Sequence, residues 1–278
     1  MARYGRLLTG AQWQKIEPLL PRPPKHPRGG RPPAANRRVL EGILWILRSG
    51  ARWQDLPSEF PSPATCWRRL RRWEEQGVCL RVWRTFLAEL NERQQVKWSE
   101  SFLDGSFAPA KKGAPGVGKT KRGKGTKWMV VVDGGGVPLG VRLYSASPSE
   151  VRLAEETLAT IRVGRRHRRG RPRQKPARVI ADKGYDSDAL RERLRRRGMV
   201  LIAPHRSNRH RTPPQDGRVL RRYKKRWIVE RSIAWLGNFR RLVVRYDRSL
   251  TIYQAFIHIA CLMIVLRRVL KLLLVLLR

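Results

Sequence analysis

The sequence predicts an α+β protein in two parts: an all-helical region over residues 1–98 and a mixed sheet flanked by helices over residues 99–278. Two patterns predict this division. Apolar residues recur at helical spacing up to residue 92, whereas short apolar runs typical of strands begin near residue 100. The formal net charge of +40 also calls for a polyanionic partner, with nucleic acid as the first candidate and a membrane surface as its rival.

The helical region ends in a strongly basic helix. A capping box at Thr9 and Gln12 predicts the first helix, and an apolar stripe from Leu40 to Leu47 predicts a later one. After the turn LPSEFPSP, the segment ATCWRRLRRWEEQG predicts a further helix with its arginines mostly off the apolar stripe. Helix, turn and basic helix are typical of a helix-turn-helix that contacts DNA, although a small bundle with a solvated arginine face is the alternative. The candidate DNA-binding residues here are Arg68, Arg69, Arg71 and Arg72.

The second region alternates strands and helices in a recognisable order. Predicted strands are SFLDGSF, KWMVVVD, PLGVRLYSA, ARVIAD and MVLIAP, and predicted helices are SEVRLAEETLATI, SDALRERLRRRG, RRYKKRWIVERSIAWLGNF and a last one from Tyr253 to Leu277. Three strands followed by alternating helices and strands is the order of a ribonuclease-H-like fold, a mixed sheet flanked by helices. In that arrangement the first and fourth strands lie side by side.

The last helix raises the question of a membrane. Ser249 to Leu266 carries no charge over 18 residues, which approaches the length of a membrane span. It contains Gln254 and His258, and its apolar residues recur at helical spacing, so we expect a core helix and no membrane partner. The N-terminus lacks the apolar core of a signal peptide, and the three cysteines show no metal or disulfide spacing. These features predict a cytoplasmic protein.

The segment GAPGVGKT, residues Gly113 to Thr120, matches the phosphate-loop pattern at every specified position. A phosphate loop needs a strand before it and a helix after it, because backbone amides and the helix N-terminus hold the phosphates. The flanking segments APAKK and KRGKGTKW offer neither, so a phosphate-loop ATPase is the less favoured interpretation. We predict a flexible loop that contacts DNA phosphates through Lys119, Lys121 and Lys124.

Three acidic residues stand out in basic surroundings. Asp104 lies in the first predicted strand, Asp182 ends the strand ARVIAD, and Glu230 is the one acid within RRYKKRWIVERS. Singly, the aspartates could be turn or cap residues, and Glu230 could pair with Arg226 one helical turn earlier. In a ribonuclease-H-like fold the three carboxylates would instead converge into a hard-oxygen site suited to Mg²⁺ or Mn²⁺. Two such ions can activate a water or a 3′-hydroxyl for phosphodiester displacement.

These segments resemble a known family. FLDGSF, IADKGYDSDALRERLRRRG, LIAPHR and YKKRWIVERSIAWLGNFRRL are similar to the bacterial insertion-sequence DDE transposases of the insertion-sequence-five type, within the insertion-sequence-four superfamily. LTGAQWQKIEPLLP and RRVLEGILWILRSGARWQDLP also resemble the helical domain of that family, so the resemblance covers nearly the whole chain. It implies a helical DNA-binding domain over residues 1–98 and a ribonuclease-H-like catalytic domain over residues 99–278.

The resemblance also implies the activity and the partners. Asp104, Asp182 and Glu230 would be the catalytic, metal-binding triad, with Mg²⁺ or Mn²⁺ as the cofactor. The DNA partners would be the terminal inverted repeats of the element and a target duplex, bound by a homodimer or a higher assembly. Such a protein would act in the bacterial cytoplasm, in association with the nucleoid. A noncatalytic, basic nucleic-acid-binding protein remains the alternative.

The family signature of tyrosine, arginine and glutamate at fixed spacing is present, beginning with Tyr223 and Arg226. The resemblance implies that these two residues lie near the DNA ends. The basic residue that the family carries seven positions after the glutamate is replaced by Gly237. We expect Arg240 and Arg241 to supply the missing phosphate contact.

Overall fold

The computed structural model describes residues 7–23, 32–111, 113–165, 170–209, 212 and 214–276. The N-terminal part is helical, as predicted, with α1 (Gly10–Ile16), α2 (Asn36–Ser49), α3 (Pro63–Glu75) and α4 (Val78–Glu92). The predicted capping box is present, because the Thr9 hydroxyl accepts from the Gln12 amide at 3.2 Å and the Gln12 side chain accepts from the Thr9 amide at 3.0 Å. Gly50 ends α2 with a φ of 73°, a conformation that favours glycine.

A mixed sheet follows these helices. Its strands are β1 (Ser101–Pro109), β2 (Gly118–Thr120), β3 (Gly123–Asp133), β4 (Pro138–Ser145), β5 (Arg178–Ile180) and β6 (Val200–Ile202). β3 pairs antiparallel with β1, β2 and β4, whereas β1 pairs in parallel with β5, and β5 with β6. The predicted α+β class and ribonuclease-H-like order are therefore confirmed, and so is the predicted contact between the first and fourth strands, here β1 and β5.

The helices of this part are α5 (Glu150–Leu158), α6 (Asp188–Arg196), α7 (Gly217–Leu220), α8 (Trp227–Gly237), α9 (Arg240–Val243) and α10 (Leu250–Leu276). The single helix predicted over residues 221–239 is wrong in detail. Residues Arg221–Arg226 form a 3₁₀ helix, and α8 begins only at Trp227. Such 3₁₀ turns are frequent at helix N-termini. Tyr223 and Arg226 therefore precede the α-helix that carries Glu230.

Helix α10 is the core helix predicted from the uncharged stretch. Its segment Leu250–Lys271 is long and apolar enough to cross a membrane, with a mean hydropathy of 1.7, but 78% of the relevant window is buried inside the protein. Tyr253 and Phe256 are fully buried, and the helix packs against α3, α4 and β4. Burial on several sides accounts for its apolar composition without a lipid environment.

One hydrophobic core joins the helical part to the sheet. It extends without interruption from Leu8 near the N-terminus to Val269 in α10. A buried contact between Glu74 of α3 and His258 of α10, with 3.0 Å between carboxylate and imidazole, connects the same two regions. The predicted domain boundary at residue 98 therefore stays a prediction, because helix α10 packs against both the helical part and the sheet.

Candidate active site

Two of the three predicted catalytic carboxylates lie at the same edge of the sheet. β1 and β5 are parallel neighbours in which Phe102 lies opposite Ile180. Asp104 follows Phe102 by two residues in β1, and Asp182 follows Ile180 by two residues, just past the end of β5; both carboxylates lie close enough to Tyr185 to raise its pKa. Asp104 is buried, with 8% of its surface exposed, whereas Asp182 is half-buried. The strand pairing therefore brings together the two residues that the sequence placed 78 positions apart.

Each aspartate is oriented by a backbone amide. Asp104 Oδ1 accepts from the Gly105 amide at 2.9 Å, and Asp182 Oδ1 accepts from the Gly184 amide at 2.7 Å. Asp182 thus has the cap role considered as its alternative, but one such bond uses only one of about four acceptor sites on a carboxylate. Burial raises the pKa of Asp104 above its ordinary value, and Arg226 and the Gly105 amide offset only part of that rise.

Arg226 connects Asp104 to the third carboxylate, Glu230. Its Nη2 lies 2.7 Å from Asp104 Oδ2, and its Nη1 lies 3.5 Å from Glu230 Oε1. Glu230 projects from the first turn of α8 with 58% of its side chain exposed. The helix pair considered as the alternative for Glu230 exists, yet its guanidinium is shared with Asp104. The same contact therefore brings Glu230 toward the sheet edge.

The three predicted carboxylate ligands suit a divalent cation, although their side chains are not arranged as a metal site. Among the residues that the structure describes, no three His, Cys, Asp or Glu side chains are placed to hold a metal ion together. All three predicted ligands are carboxylates, which Mg²⁺ and Mn²⁺ prefer. A buried carboxylate such as Asp104 is costly unless a cation neutralises it, and here the guanidinium of Arg226 does so. The chemistry of these carboxylates fits a divalent cation, and Arg226 neutralises Asp104 in its place.

A fourth carboxylate, Glu150, lies beside the two aspartates and was missed by sequence reasoning. It begins α5, its Oε2 accepts from the Tyr185 hydroxyl at 3.1 Å, and its Oε1 lies 3.5 Å from Lys127 Nζ. Burial, together with the negative charges of Glu150, Asp104 and Asp182, raises the pKa of Tyr185 well above its ordinary value. No spacing rule relates Glu150 to either aspartate, because the contact arises from chain folding.

Two other acidic residues have structural roles. Asp133 is fully buried and accepts from the amides of Gly135 and Val137 in the turn between β3 and β4 and from the Lys97 amide outside that turn. Ser187 caps α6, and Asp186 binds the Arg191 guanidinium at 2.6 Å. Asp186 thus holds α6 to its surroundings and is no part of the carboxylate edge.

The segment GAPGVGKT does not form a phosphate loop. Its last three residues are strand β2, and a two-residue turn leads from Thr120 directly into β3, so the helix that a nucleotide site requires is replaced by a hairpin. The expected flexible loop is corrected as well. Arg245, only 1% exposed, donates from Nη1 to Thr126 Oγ1 at 2.6 Å and from Nη2 to the Pro115 carbonyl at 2.8 Å. These bonds tie the segment to the sheet.

The β2–β3 hairpin extends from the edge that carries the aspartates. In the β1–β3 register, Asp104 lies opposite Val130 and Pro109 lies opposite Gly125. β1 therefore continues five residues past Asp104, which spans about 17 Å at about 3.3 Å per residue. The exposed lysines of the hairpin are Lys119, Lys121 and Lys124.

The predicted recognition helix, α3, presents most of its arginines to solvent. Arg68, Arg71 and Arg72 are exposed, whereas Arg69 is half-buried and donates to the side chain of Asn36 in α2. The connection between α2 and α3 covers residues 50–62, much longer than the about three to four residues of a standard helix-turn-helix turn. The arrangement is therefore similar to that motif only in its sequence of elements.

The two arginines expected to substitute for the residue at Gly237 differ in exposure. Arg240 is exposed. Arg241 is 4% exposed, with Nε and Nη2 bound to Asp247 at 3.0 and 3.1 Å, and Nη1 bound to the Ala51 carbonyl at 2.9 Å. The expected DNA contact of Arg241 is therefore corrected to an internal structural role. Tyr223 is partly buried against the core.

Comparison with known proteins places both parts of the chain in one family. The family described as "Transposase DDE domain" matches residues 99–266, and a family described as a transposase of the IS4/5 family (DUF4096) matches residues 8–83. A 16.2 kDa protein of insertion element IS402 from Burkholderia cepacia is 44% identical over 113 residues, covering 39% of this chain and 76% of that protein. A protein named as a transposase for IS402, from the same organism, is 38% identical over 140 residues, covering 50% of this chain and 62% of its own length.

A solved structure supports the fold. The piggyBac transposase in a synaptic complex with hairpin DNA is similar with a TM-score of 0.53 and 11% identity, over 93% of this chain and 71% of that one. At that identity the likeness concerns the fold alone. The DDE-domain match, in contrast, covers more than half of the sequence. The chain therefore belongs to the IS4/5 family of DDE transposases, enzymes that cleave DNA strands and transfer them.

Proposed function

We propose that this transposase binds the terminal inverted repeats of its own insertion sequence, hydrolyses the strands there to expose 3′-hydroxyls, and joins them to target DNA. The observation that carries this proposal is the carboxylate edge, where the parallel pairing of β1 and β5 brings Asp104 and Asp182 to the same end of the sheet and Arg226 links Asp104 to Glu230. Asp104, Asp182 and Glu230 are also the three acids that the resemblance implies as the catalytic triad, which supports that assignment.

Asp104, Asp182 and Glu230 would hold the divalent cation, for which Mg²⁺ is proposed and Mn²⁺ is the substitute. When bound, such ions activate the attacking oxygen and stabilise the departing one. The protein residues prepare the site. Asp104 is fixed by the Gly105 amide, and the Arg226 guanidinium beside it would be a donor to a DNA phosphate at this edge.

The protein meets DNA through two basic surfaces in this proposal. The arginines of α3 contact the terminal repeat, and the hairpin lysines contact phosphates near the cleavage site. Both surfaces are exposed, and phosphate contacts of this kind set affinity and register. A homodimer or higher assembly, acting at the nucleoid, would be needed to hold two ends together.

The proposal is tested with purified protein and a duplex that carries the inverted repeat found beside the gene. With Mg²⁺ we expect a nick that leaves a 3′-hydroxyl at the repeat boundary, and with EDTA we expect no nick but an unchanged mobility shift. The carboxylates act only through the cation, so chelation separates chemistry from binding. Cleavage that persists in EDTA, or repeats that are not bound at all, would contradict the proposal.

A second prediction concerns the hairpin. Changing Lys119, Lys121 and Lys124 together to glutamine should reduce the slope of log affinity against log salt concentration by about 3, because each phosphate contact contributes about 0.9. The slope is measured by fluorescence anisotropy between low and moderate salt. The matched control changes Arg193, Arg195 and Arg196 of α6 to glutamine; these arginines are paired with Glu155 and Glu192. If the slope falls equally in both triple variants, the effect comes from net charge alone.

One observation favours a second candidate function. Gly237 replaces the family's basic residue, and Arg241 is internal, so Arg240 alone is left to compensate. A chain that binds the repeats without cleaving them would fit this loss. Restoring the charge with Gly237→Lys separates the two cases, because a binding-only protein gains cleavage and an active enzyme does not depend on the change.

A further inference from the structure

Glu150 lies against the backbone of the first catalytic strand. A Cβ added at Gly105 would lie 2.8 Å from Glu150 Oε1 and 2.7 Å from Met129 Sδ, both closer than real side chains approach. A side chain at position 105 would therefore require the Glu150 carboxylate and the Met129 side chain to move. Glycine directly after Asp104 leaves both in place.

The same carboxylate is linked to the second catalytic residue through Tyr185. The Tyr185 hydroxyl donates to Glu150 Oε2 at 3.1 Å, and the ring is fully buried. The Tyr185 amide donates to the carbonyl of Asp182 at 3.1 Å and so closes the 3₁₀ turn that Asp182 caps. A change at Glu150 is thus transmitted, through one buried ring, to the backbone that orients Asp182.

Two of the carboxylates around the site each have a basic side chain beside them. Arg226 neutralises Asp104 at 2.7 Å, and Lys127 lies 3.5 Å from Glu150. Adjacent carboxylates repel one another unless cations lie among them, and a divalent ion at Asp104 and Asp182 would relieve that repulsion most. The negative charge of Glu150 therefore favours occupation of the site by a cation.

We propose that Glu150 is a positioning residue of the metal centre, which holds the turn of Asp182 through Tyr185 and strengthens divalent-cation binding at Asp104 and Asp182. The inference rests on the proposed assignment of those two aspartates as metal ligands. It adds a carboxylate outside the triad that the resemblance implies. Residues that orient metal ligands in this way typically change metal affinity by about 10- to 100-fold when removed.

The test is a titration of the full-length, DNA-free protein with Mn²⁺, followed by electron paramagnetic resonance of the free ion. Glu150→Gln, which keeps the shape but removes the charge, should weaken Mn²⁺ binding by about 10- to 100-fold. The matched control is Glu156→Gln, six residues later on the same helix, whose side chain is 56% exposed and paired with Arg142. The control should bind Mn²⁺ like the unchanged protein.

Tyr185→Phe tests the hydrogen bond between Tyr185 and Glu150. It also replaces Glu150→Gln as the test variant if thermal melting shows that Glu150→Gln does not fold. It should weaken Mn²⁺ binding in the same direction, and the double variant should be no weaker than the more affected single variant, because the two residues act in series. If folded Glu150→Gln binds Mn²⁺ with unchanged affinity, the inference is overturned. If Glu150→Gln is unfolded, unchanged Mn²⁺ affinity in Tyr185→Phe overturns it instead. Additive losses in the double variant would overturn the role of Tyr185.

Asp104→Asn distinguishes this failure from failure of the proposed function. If Asp104→Asn loses Mn²⁺ binding while Glu150→Gln keeps it, only the role of Glu150 is wrong. If Asp104→Asn also binds Mn²⁺ normally, the metal centre itself is misassigned.

Discussion

Replacing Asp104 by asparagine is expected to lower strand cleavage at least about a thousandfold while the protein still binds the transposon ends. A metal ion supplies several kcal/mol of transition-state stabilisation, and about 1.4 kcal/mol corresponds to a tenfold change in rate. Asparagine keeps the size of the side chain and can still accept from the Gly105 amide, but it removes the charge that holds the cation. The rate is measured as single-turnover cleavage of a labelled end duplex, with binding followed separately.

Two further variants show whether the loss is specific to the triad. Asp182→Asn and Glu230→Gln should each abolish cleavage in the same way, whereas Asp55→Asn, in an exposed ion pair with Arg52, should leave it unchanged. Lys119→Ala addresses the phosphate-loop alternative, which requires this lysine for activity and does not require Asp104. Normal cleavage by any of the three triad variants would remove that residue from the catalytic site.

Replacing Asp247 by alanine is expected to lower the free energy of unfolding by about 3–5 kcal/mol, the usual cost of removing one partner of a buried ion pair. The side chains of Arg241 and Asp247 are 5% and 6% exposed and share two hydrogen bonds. Without the carboxylate, the guanidinium of Arg241 keeps the carbonyls of Gly50 and Ala51 and the ring of Tyr246, none of which carries a neutralising charge. Urea denaturation followed by tryptophan fluorescence measures the loss.

Asp55→Ala is the control for that measurement. Its partner Arg52 lies at 2.9 Å, but the two side chains are 39% and 73% exposed, so the pair contributes little to stability. A similar small loss at Asp247 would mean that the buried pair adds little to stability. Comparing the two variants also tests the contact between the helical region and the rest of the protein, because Asp247 accepts from Trp53 of the helical region at 3.4 Å.

The features that the sequence predicted well are those with a local pattern. The capping box at Thr9, the apolar strands and the uncharged helix α10 all carry their own signal in neighbouring residues. The nearness of Asp104 and Asp182 followed because strand order in this fold makes β1 and β5 neighbours. Local periodicity and a known order of elements are sufficient to predict these features.

The features that the sequence did not predict depend on contacts between distant residues. Glu150 carries no pattern that relates it to Asp104, and the side chain of Arg241 is buried although it stands in a basic run that suggests exposure. The break between the 3₁₀ helix and α8 was missed because residues 221–239 have continuous helical propensity, which tertiary packing overrode. Burial and ion pairing of this kind become visible only in three dimensions.

The position of α10 has a consequence for exchanging parts between related proteins. This helix is the last in the chain, yet it packs against α3 and α4 and pairs His258 with Glu74. A chimera that takes residues 1–98 from a relative would therefore place that relative's α3 and α4 against the α10 of this protein, including the contact at His258. We expect recognition helices to transfer between relatives only when the facing residues of α10 are transferred with them.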